Sequence, residues 1–305
     1  MITKKAYAKV NLTLDITGRR EDGYHLVRMV MQSLDIADIL TFEKTNSGDI
    51  QIFLKDDRGI QDDELSNLGT LPLGEDNLVY RVARMMLEGY VWKKKPQAGV
   101  IITLEKHIPI AAGMAGGSSD AAATFKGMNE LFELSLMDEQ LMEMGVKFGA
   151  DIPYCIMGGT ALSEGIGEVL TRLPNIPECT FVVAKPKISV STAEAYGGYD
   201  KMILSGDKNY REVDVDGQVD AIYSGNLEGI TKKFGNVLEY VTAENHPEIG
   251  QLEEIMRENG ALGAMMSGSG PTVFGIYDNE ENVTQTMKAL QESGLIEQLF
   301  ISYSV

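Results

Sequence analysis

The sequence has few of the residues that disulfide frameworks, zinc sites and nucleic-acid interfaces require. Among 305 residues there are two cysteines and three histidines. Cys155 and Cys179 form no C-x-x-C motif, so neither a disulfide framework nor a zinc site is indicated. Lysine and arginine number 27 against 45 aspartates and glutamates, a net charge of -18. That charge opposes a phosphate backbone, so we expect no nucleic-acid partner.

Long apolar runs are also missing from the sequence. The N-terminal segment carries early lysines, but Asn11, Thr13 and Asp15 interrupt its apolar residues, which does not fit a signal peptide. No later stretch has the apolar length that a membrane span needs. We therefore expect no membrane partner and a reducing, cytoplasmic setting. The content of hydrophobic residues is 44% and that of charged residues 24%, which is typical of globular proteins, and the length favours two domains.

The most informative segment is the glycine-rich stretch 106–123, KHIPIAAGMAGGSSDAAA. It joins a predicted strand, 99–105, to a predicted helix, and we expect Ser118, Ser119 and Asp120 to cap that helix. Backbone N–H groups at such a helix start suit a phosphate group. The segment matches neither a Walker loop nor the G-x-G-x-x-G fingerprint, so a plain glycine-rich connection is the alternative interpretation.

The N-terminal segment alternates strictly between apolar and other residues from Ala6 to Ile16, which predicts a strand. Lys9 and Asn11 lie on the same, polar face, about 7 Å apart by the rise of a strand. They could form a functional pair. The alternative, which is the commoner case for an isolated alternating strand, is a face turned to solvent.

Asp151 lies in the segment 149–153, GADIP, which follows a predicted helix over 136–148. Pro153 disfavours helical geometry at Ile152, so Asp151 is expected at a bend where the helix ends. A carboxylate is electrostatically disfavoured there, which favours a functional role for Asp151. A turn-forming aspartate is the alternative.

Other patterns predict further elements. Segments 39–43 and 50–54 are predicted to pair as strands joined by a turn at 46–48, and Asn77 is predicted to cap a helix that ends near Gly89.

Segments 56–75 and 201–219 are acidic and irregular, which predicts surface loops, and 227–241 predicts one helix. A second glycine turn, 268–271, has a predicted strand on each side. The order of elements indicates an open α+β arrangement.

Three separated segments carry a family pattern: AKVNL at 8–12, the glycine loop at 109–122 and MSGSGP at 266–271. Together they resemble the GHMP kinase superfamily, whose small-molecule kinases bind ATP without a Walker loop. Within it, the chain is most similar to the kinases that act on a cytidine diphosphate-linked methylerythritol. The motifs behind this closer likeness are AKVNL, DGYH at 22–25, NLVYRVA at 77–83, GADIPY at 149–154 and STAEAY at 191–196.

The resemblance implies a two-domain fold and a reaction. Residues 1–161 would form an ATP-binding domain similar to the second domain of ribosomal protein S5, and residues 162–305 a ferredoxin-like domain. The reaction would be ATP-dependent, magnesium-dependent phosphorylation of the C2 hydroxyl of the cytidylyl methylerythritol, a step of the non-mevalonate route to isoprenoid precursors. A GHMP kinase acting on mevalonate, homoserine or a sugar is the nearest alternative, and a catalytically silent ATP-binding regulator is another.

The resemblance also implies roles for individual residues. Lys9 and Asp151 would be catalytic: Asp151 would accept or orient the hydroxyl proton, while Lys9 would keep Asp151 ionised and stabilise developing charge. The substrate would contact Asn11, Tyr24, His25, Thr192 and Tyr196, with the cytosine stacked by Tyr196. The residues assigned to ATP are Asn77, Leu78, Lys106, Pro109, Ala111, Ala112, Gly113, Met114, Ala115, Gly116, Gly117, Ser118 and Ser119.

Overall fold

A computed structural model describes residues 1–55, 71–204 and 213–305. Its strands are β1 (Ile2–Arg19), β2 (His25–Thr45), β3 (Ile50–Lys55), β4 (Gly99–Glu105), β5 (Thr160–Glu164), β6 (Val169–Arg172), β7 (Thr180–Pro186), β8 (Gly235–Asn236), β9 (Gly263–Met266), β10 (Val273–Tyr277) and β11 (Ile296–Ser302). Its helices are α1 (Leu78–Met86), α2 (Gly116–Leu131), α3 (Asp138–Gly145), α4 (Ile152–Met157), α5 (Thr192–Leu204), α6 (Val215–Tyr223), α7 (Leu227–Lys232), α8 (Val237–Asn245), α9 (Glu248–Glu258) and α10 (Glu280–Ser293).

The strands form two sheets. One sheet has the order β3-β4-β2-β1-β8, with β5 beside β2 and β6 beside β5, and the other has the order β11-β7-β10-β9. The chain divides into two compact units. The first unit comprises 1–8, 36–108 and 115–157, and the second unit comprises 9–35, 109–114 and 158–305. Among the described residues, no helix is both long and apolar enough to cross a bilayer.

In the first unit, β4 separates the two strands that were predicted to pair with each other. Residues 39–45 of β2 pair antiparallel with β4, and β3 pairs parallel with β4 on its other side. The predicted hairpin is therefore wrong. Val100, Ile102 and Leu104 of β4 are fully buried, and this apolar strand lies between the other two. A turn pattern between neighbouring segments cannot predict a strand that comes later in the chain.

The helices of the first unit cover the core of this sheet. Asn77 caps α1 as predicted, since its side chain accepts a hydrogen bond from the N–H of Val79 at 2.8 Å. The helix continues as a π-helical turn, Leu87–Val91, slightly beyond the predicted end. Helix α1 packs on α2, and both bury apolar residues in one cluster with β4.

The second unit contains a four-stranded antiparallel sheet with ferredoxin-like order. In chain order its strands are β7, β9, β10 and β11, so the spatial order β11-β7-β10-β9 is that of a βαββαβ unit. Helices α9 and α10 pack on it. The predicted strands on each side of the second glycine turn are confirmed as β9 and β10, and they pair antiparallel.

Two predictions about irregular or helical segments were wrong in part. Within 201–219, helix α5 continues to Leu204, and α6 begins at Val215, where Asp214 caps it through a hydrogen bond from Gly217 N–H. The segment 227–241 is not one helix, because the short strand β8 separates α7 from α8. Residues 56–70 of the predicted loop 56–75, and 205–212 of the other, lie outside the described residues.

Candidate active site

The polar face of β1 in the second unit is buried, so the solvent-facing interpretation is wrong. Lys9 is only 5% exposed, and Asn11 is fully buried. The Lys9 ammonium donates to Asn11 Oδ1 at 2.6 Å and to the carbonyl oxygen of Gly113 at 3.3 Å. Both acceptors are neutral oxygens. Because burial of a charged group is costly without compensation, this ammonium is suited to an anionic ligand.

The second glycine turn lies against the glycine loop within the same unit. Gly113 has a φ of +74°, and a Cβ on it would lie 2.3 Å from the carbonyl oxygen of Ser267, so only glycine fits there. Ser267 Oγ donates to Gly113 O at 3.1 Å and accepts from the N–H of Asn11 at 3.3 Å. A Cβ on Gly268 would lie 3.4 Å from Lys9 Nζ. Lys9, Asn11, Gly113, Ser267 and Gly268 are hereafter the Lys9 cluster.

Asn236 holds the second glycine turn in place. Its amide nitrogen donates to Met266 O at 3.0 Å and to Gly268 O at 2.8 Å, while its amide oxygen caps α8 through Leu238 N–H at 3.0 Å. The sequence patterns assigned roles to neither Ser267 nor Asn236. The SGSG turn was a signal for Ser267, but nothing local pointed to Asn236.

In the first unit, helix α2 begins without the side-chain cap that was predicted. Its N-cap is Ala115, in the left-handed conformation at φ 57°, with no side-chain hydrogen bond. Ser119 Oγ instead donates to the carbonyl of Tyr7, and Asp120 pairs with Lys106. The capping prediction for Ser118, Ser119 and Asp120 was wrong, and for the last two the reason is that distant partners take their side chains. A 16-residue helix whose first N–H groups have no side-chain acceptor is suited to a phosphate group.

Lys106 lies in a buried cluster with two carboxylates of the first unit. Its ammonium pairs with Asp38 and, at 2.7 Å, with Asp120. Asp38 Oδ1 also accepts the backbone N–H groups of His107 at 2.6 Å and Ile108 at 2.8 Å. Asp38 therefore anchors the start of the glycine loop, and the assignment of Lys106 to ATP stays a prediction.

The charges in this cluster change the acid–base properties of its members. Burial alone would lower the pKa of Lys106, but the charges of Asp120 and Asp38 outweigh it and raise that pKa. Burial raises the pKa of Asp120 to about 8, with Lys106 opposing the shift and Asp38 adding to it. Asp120 therefore does not face solvent, and its Oδ1 has no hydrogen-bond partner among the described residues.

Asp151 comes directly before a helix, and the prediction that it ends one was wrong. Helix α4 begins at Ile152, and Cys155 N–H donates to the carbonyl of Asp151 at 3.0 Å. Pro153 is accommodated in the first turn of α4, where its missing N–H costs no helical hydrogen bond. The argument from an unfavourable helix dipole therefore does not apply. Asp151 is half-buried, and its catalytic role stays a prediction.

The remaining residues assigned to ATP lie in or beside the glycine loop. Leu78 lies against the start of α2, since a Cβ on Gly117 would be 3.9 Å from its Cδ1. Ala111 has a φ of 52°. Within 109–114 the buried side chains are Pro109, Ala112 and Met114.

All five residues assigned to the substrate lie in the second unit, and the structure brings two of them, His25 and Tyr196, into contact. The rings of His25 and Tyr196 lie 4.9 Å apart at 37°, and Tyr199 meets His25 edge-on at 6.4 Å. Thr192 Oγ1 is 3.3 Å from Ser269 Oγ in the second glycine turn. Tyr24 is 59% exposed. A stacked base needs about 7 Å between two rings, so none fits between His25 and Tyr196.

Comparisons with known proteins agree with the two-part architecture. The GHMP kinases N terminal domain family matches residues 77–159, and the GHMP kinases C terminal family matches residues 219–295. A solved structure of L. major mevalonate kinase with R-mevalonate has a TM-score of 0.72 at 14% identity, covering 100% of this chain and 96% of its own. The predicted α+β, two-domain GHMP kinase fold is confirmed.

Relatives of higher identity identify the family. A 4-diphosphocytidyl-2-C-methyl-D-erythritol kinase of Lachnoclostridium phytofermentans is 46% identical, covering 92% of this chain and 89% of its own. The 4-diphosphocytidyl-2-C-methyl-D-erythritol kinase of Lachnospira eligens is 44% identical, covering 98% of this chain and 96% of its own. The crystal structure of a 4-(cytidine 5'-diphospho)-2C-methyl-D-erythritol kinase has a TM-score of 0.77 at 29% identity, covering 99% of each chain. The resemblance is confirmed, and the chain belongs to the 4-diphosphocytidyl-2-C-methyl-D-erythritol kinase family of the GHMP kinases.

Proposed function

We propose that the chain transfers the γ-phosphoryl group of ATP to the C2 hydroxyl of 4-diphosphocytidyl-2-C-methyl-D-erythritol, a step of the non-mevalonate route to isoprenoid precursors. The names of its relatives support this substrate. Among the structural observations, the Lys9 cluster carries the proposal. It places a buried ammonium among neutral oxygens and next to glycine backbone that an anionic group can approach.

Phosphoryl transfer needs positioning and charge neutralisation more than covalent chemistry by the protein. We assign Lys9 to the stabilisation of negative charge that develops in the reaction, with Asn11 orienting its ammonium through their 2.6 Å contact. We assign Asp151 to the substrate hydroxyl, whose proton it would accept or orient. Substitution can test each role separately, because Lys9 acts on the developing negative charge and Asp151 acts on the substrate hydroxyl.

For ATP we propose the glycine loop and the start of α2, together with Asn77 and Leu78 at the adenine end. The support is the set of backbone groups on offer, because α2 begins without a side-chain cap and Gly116 and Gly117 add no Cβ. Magnesium, which would accompany ATP, supplies positive charge to its phosphates. Among the described residues, no group of three or more His, Cys, Asp or Glu side chains is placed to hold a metal, and we assign no protein ligands to magnesium.

For the substrate we propose Asn11, Tyr24, His25, Thr192 and Tyr196. Since Tyr196 already packs on His25 with one face, a cytosine ring would stack on its other face. We keep the domain boundary at residue 161 and a cytoplasmic setting as proposals. The proposed partners are small molecules alone, and no oligomeric state is proposed.

The test is an ADP-release assay with the purified chain, ATP and magnesium. The acceptors are the cytidylyl methylerythritol, mevalonate, homoserine and galactose at equal concentrations. We expect rapid turnover with the first acceptor alone, because the others offer no base to the tyrosines. Faster turnover with any other acceptor would make the chain a GHMP kinase of different specificity, and ATP binding without turnover of any acceptor would make it a silent regulator.

A further inference from the structure

Two side chains at the start of α8 hold the second glycine turn through three of its backbone groups. Asn236 donates to the carbonyls of Met266 and Gly268 at 3.0 Å and 2.8 Å. Glu239, in the first turn of the same helix, accepts the N–H of Met266 at 2.8 Å through Oε2. The peptide groups on both sides of Met266, and the carbonyl of Gly268, are thus bound to one end of one helix.

The strand before α8 fixes this helix end beside β1. Strand β8 pairs parallel with β1, with Leu14 opposite Asn236. Asn236 is buried, and its Oδ1 caps α8 by accepting the N–H of Leu238 at 3.0 Å. One residue therefore joins three parts of the second unit, namely the strand that carries Lys9, the start of α8 and the second glycine turn.

The turn that is held in this way contacts both acceptors of the Lys9 ammonium. Ser267 Oγ donates to the carbonyl of Gly113, which also accepts from Lys9 Nζ. The same Oγ accepts the N–H of Asn11, whose side chain is the other acceptor of Lys9. A displacement of the turn would therefore disturb both oxygens that orient the ammonium.

A second acidic side chain, the buried Glu253 of α9, lies beside Glu239. Burial and the charge of Glu253 raise the pKa of Glu239, and burial likewise raises the pKa of Glu253. Glu253 Oε2 also accepts from Arg257 Nη2 at 2.7 Å, and the same nitrogen donates to the carbonyl of Ala264 in β9. Because a glutamine offers one acceptor and one donor, as a protonated carboxyl does, it is the conservative replacement for Glu239.

We propose that Asn236 and Glu239 are positioning residues for phosphoryl transfer, which hold the second glycine turn so that Lys9 keeps its orientation. The proposal rests on the proposed function, since it assumes the role of Lys9 in stabilising negative charge. A buried amide that donates to two backbone carbonyls specifies one loop conformation, because any other leaves buried polar groups without partners. Charge that is held in place in this way acts on the chemical step more than on the binding of ATP.

The first comparison is between Asn236→Asp and Asn226→Asp. Both asparagines cap a helix with Oδ1, Asn226 through the N–H of Gly229 at 3.0 Å, and aspartate keeps this acceptor. At position 236 the change also replaces a donor to two carbonyls by an acceptor. The two variants therefore separate the capping of a helix from the hold on the turn.

The second comparison concerns Glu239. Glu239→Ala removes the acceptor of the Met266 N–H, Glu239→Gln retains an acceptor, and Glu244→Gln changes an exposed glutamate of the same helix. Asn236→Asp and Glu239→Ala are hereafter the turn variants, and the other three are the matched controls. If Asn236→Asp does not fold, Glu239→Ala and its rescue by Glu239→Gln decide the proposal.

The first readout is hydrogen exchange in the free chain, measured by mass spectrometry on peptides that span the second glycine turn. Amides of the turn are hydrogen-bonded, since Ser267 N–H donates to Thr272 O at 2.8 Å and Gly270 N–H donates to Ser267 O at 2.9 Å. We expect these peptides to exchange about tenfold faster in the turn variants and at the parent rate in the matched controls.

The second readout is steady-state kinetics with ATP and the cytidylyl methylerythritol. We expect the turn variants to lower kcat about ten- to thirtyfold and to change the KM for ATP by less than about twofold. The matched controls should stay within about twofold of the parent chain. The loss of kcat caused by Asn236→Asp should largely disappear in a Lys9→Met background, because the ammonium that the turn orients is then gone.

Several outcomes would overturn the proposal. These are parent-like hydrogen exchange or parent-like kcat in both turn variants, and an equal fold-loss of kcat in the presence and absence of Lys9, which indicates a general structural defect. If the parent chain phosphorylates no acceptor, the proposed function fails, and the role of Asn236 and Glu239 in catalysis fails with it. The exchange readout needs no substrate, so it then reports separately whether they hold the turn. If the parent chain is active and the turn variants are equally active, only the inference about these two residues fails.

Discussion

Lys106 and Lys9 are both almost fully buried, yet their ammonium groups have opposite surroundings. Lys106, 8% exposed, pairs with the carboxylates of Asp38 and Asp120 in the first unit. Lys9, in the described part of the second unit, pairs with no carboxylate of that unit and donates to two neutral oxygens. Lys106 therefore carries a structural charge, which its neighbours neutralise, whereas the charge of Lys9 is one that an anionic ligand can neutralise.

The two sites also differ in what builds them. Side chains from β2 and α2 surround Lys106, and Asp38 connects it to the backbone of the glycine loop. The partners of Lys9 are one amide side chain and a glycine carbonyl, and the turn beside it is also glycine-rich. Neutral oxygens and glycine backbone suit an anionic ligand, whereas the carboxylates beside Lys106 already neutralise its ammonium.

The largest effect is expected at Asp151, which extends the comparison to carboxylates. Asp38 and Asp120 are buried with Lys106, whereas Asp151 is half-buried. We predict that Asp151→Asn lowers kcat by roughly two to four orders of magnitude, with little loss of ATP binding and no loss of stability. ADP release, calorimetry and thermal unfolding measure the three quantities. Asp138→Asn, at an exposed position of α3, is the control, and near-normal turnover of Asp151→Asn would remove Asp151 as the base.

The next largest effect concerns the stability that Lys106 provides. We predict that Lys106→Met lowers the free energy of unfolding by about 3–5 kcal/mol, because the buried carboxylate of Asp38 loses its cation and Asp120 loses its hydrogen-bond donor. Urea unfolding followed by circular dichroism measures this. The control is Lys55→Met, which removes a more exposed lysine that pairs with Glu105 at 2.9 Å and should cost about 0.5 kcal/mol. Equal costs in the two variants would end the distinction between the lysines.

For Lys9 the comparison predicts the opposite combination of effects. We expect Lys9→Met to lower kcat roughly 10²- to 10³-fold, because an electrostatic donor to the reacting group is lost. We expect its stability to be unchanged or higher, since an apolar side chain replaces a charge that no carboxylate in the described part of its unit compensates. The same two assays apply, with Lys5→Met at an exposed position of the same strand as the control. A destabilisation as large as that of Lys106→Met would contradict the comparison.

Local patterns predicted the elements well and their partners poorly. The alternation of 6–16 predicted strand β1 correctly, and Asn77 was found from its capping position. The alternation did not show that the second face of β1 is buried from Lys9 to Thr13, because residues beside that part of the strand, such as Ser267, lie far along the chain. The hairpin of 39–43 with 50–54 failed for the same reason, since β4 comes about 45 residues after β3.

The Lys106 site could have been predicted in part from the sequence, because the position of Asp38 indicates a buried ion pair. In β2 the positions 34, 36, 40 and 42 are apolar and buried, and Asp38 occupies the same face between them. A charged residue in register with a buried face requires a buried partner of opposite charge. The identity of that partner could not be predicted, because Lys106 is 68 residues away.

The smallest expected effect is the change in the free energy of unfolding per pH unit. It tests the protonation of Asp120 beside Lys106. The pKa of Asp120 is raised to about 8 in the folded chain, chiefly by burial, against about 3.9 when unfolded. Between these values the folded state holds a proton that the unfolded state releases, so stability falls as pH rises, by up to about 1.4 kcal/mol per pH unit. The raised pKa of Lys106 acts only at higher pH, where its stabilising charge is lost.

Urea unfolding at intervals from pH 5 to pH 9 measures this slope, and the variant Asp120→Asn isolates the contribution of Asp120. Burial also raises the pKa values of Glu239 and Glu253, so the parent chain has other contributions with the same sign. The relevant quantity is therefore the difference between the slope of the parent chain and the slope of Asp120→Asn. We expect the slope of the parent chain to be the steeper one. Parallel slopes would mean that Asp120 is ionised throughout and that Lys106 neutralises both carboxylates. In that case two ionised carboxylates lie beside Lys106, whereas Lys9 pairs with none among the described residues of its unit.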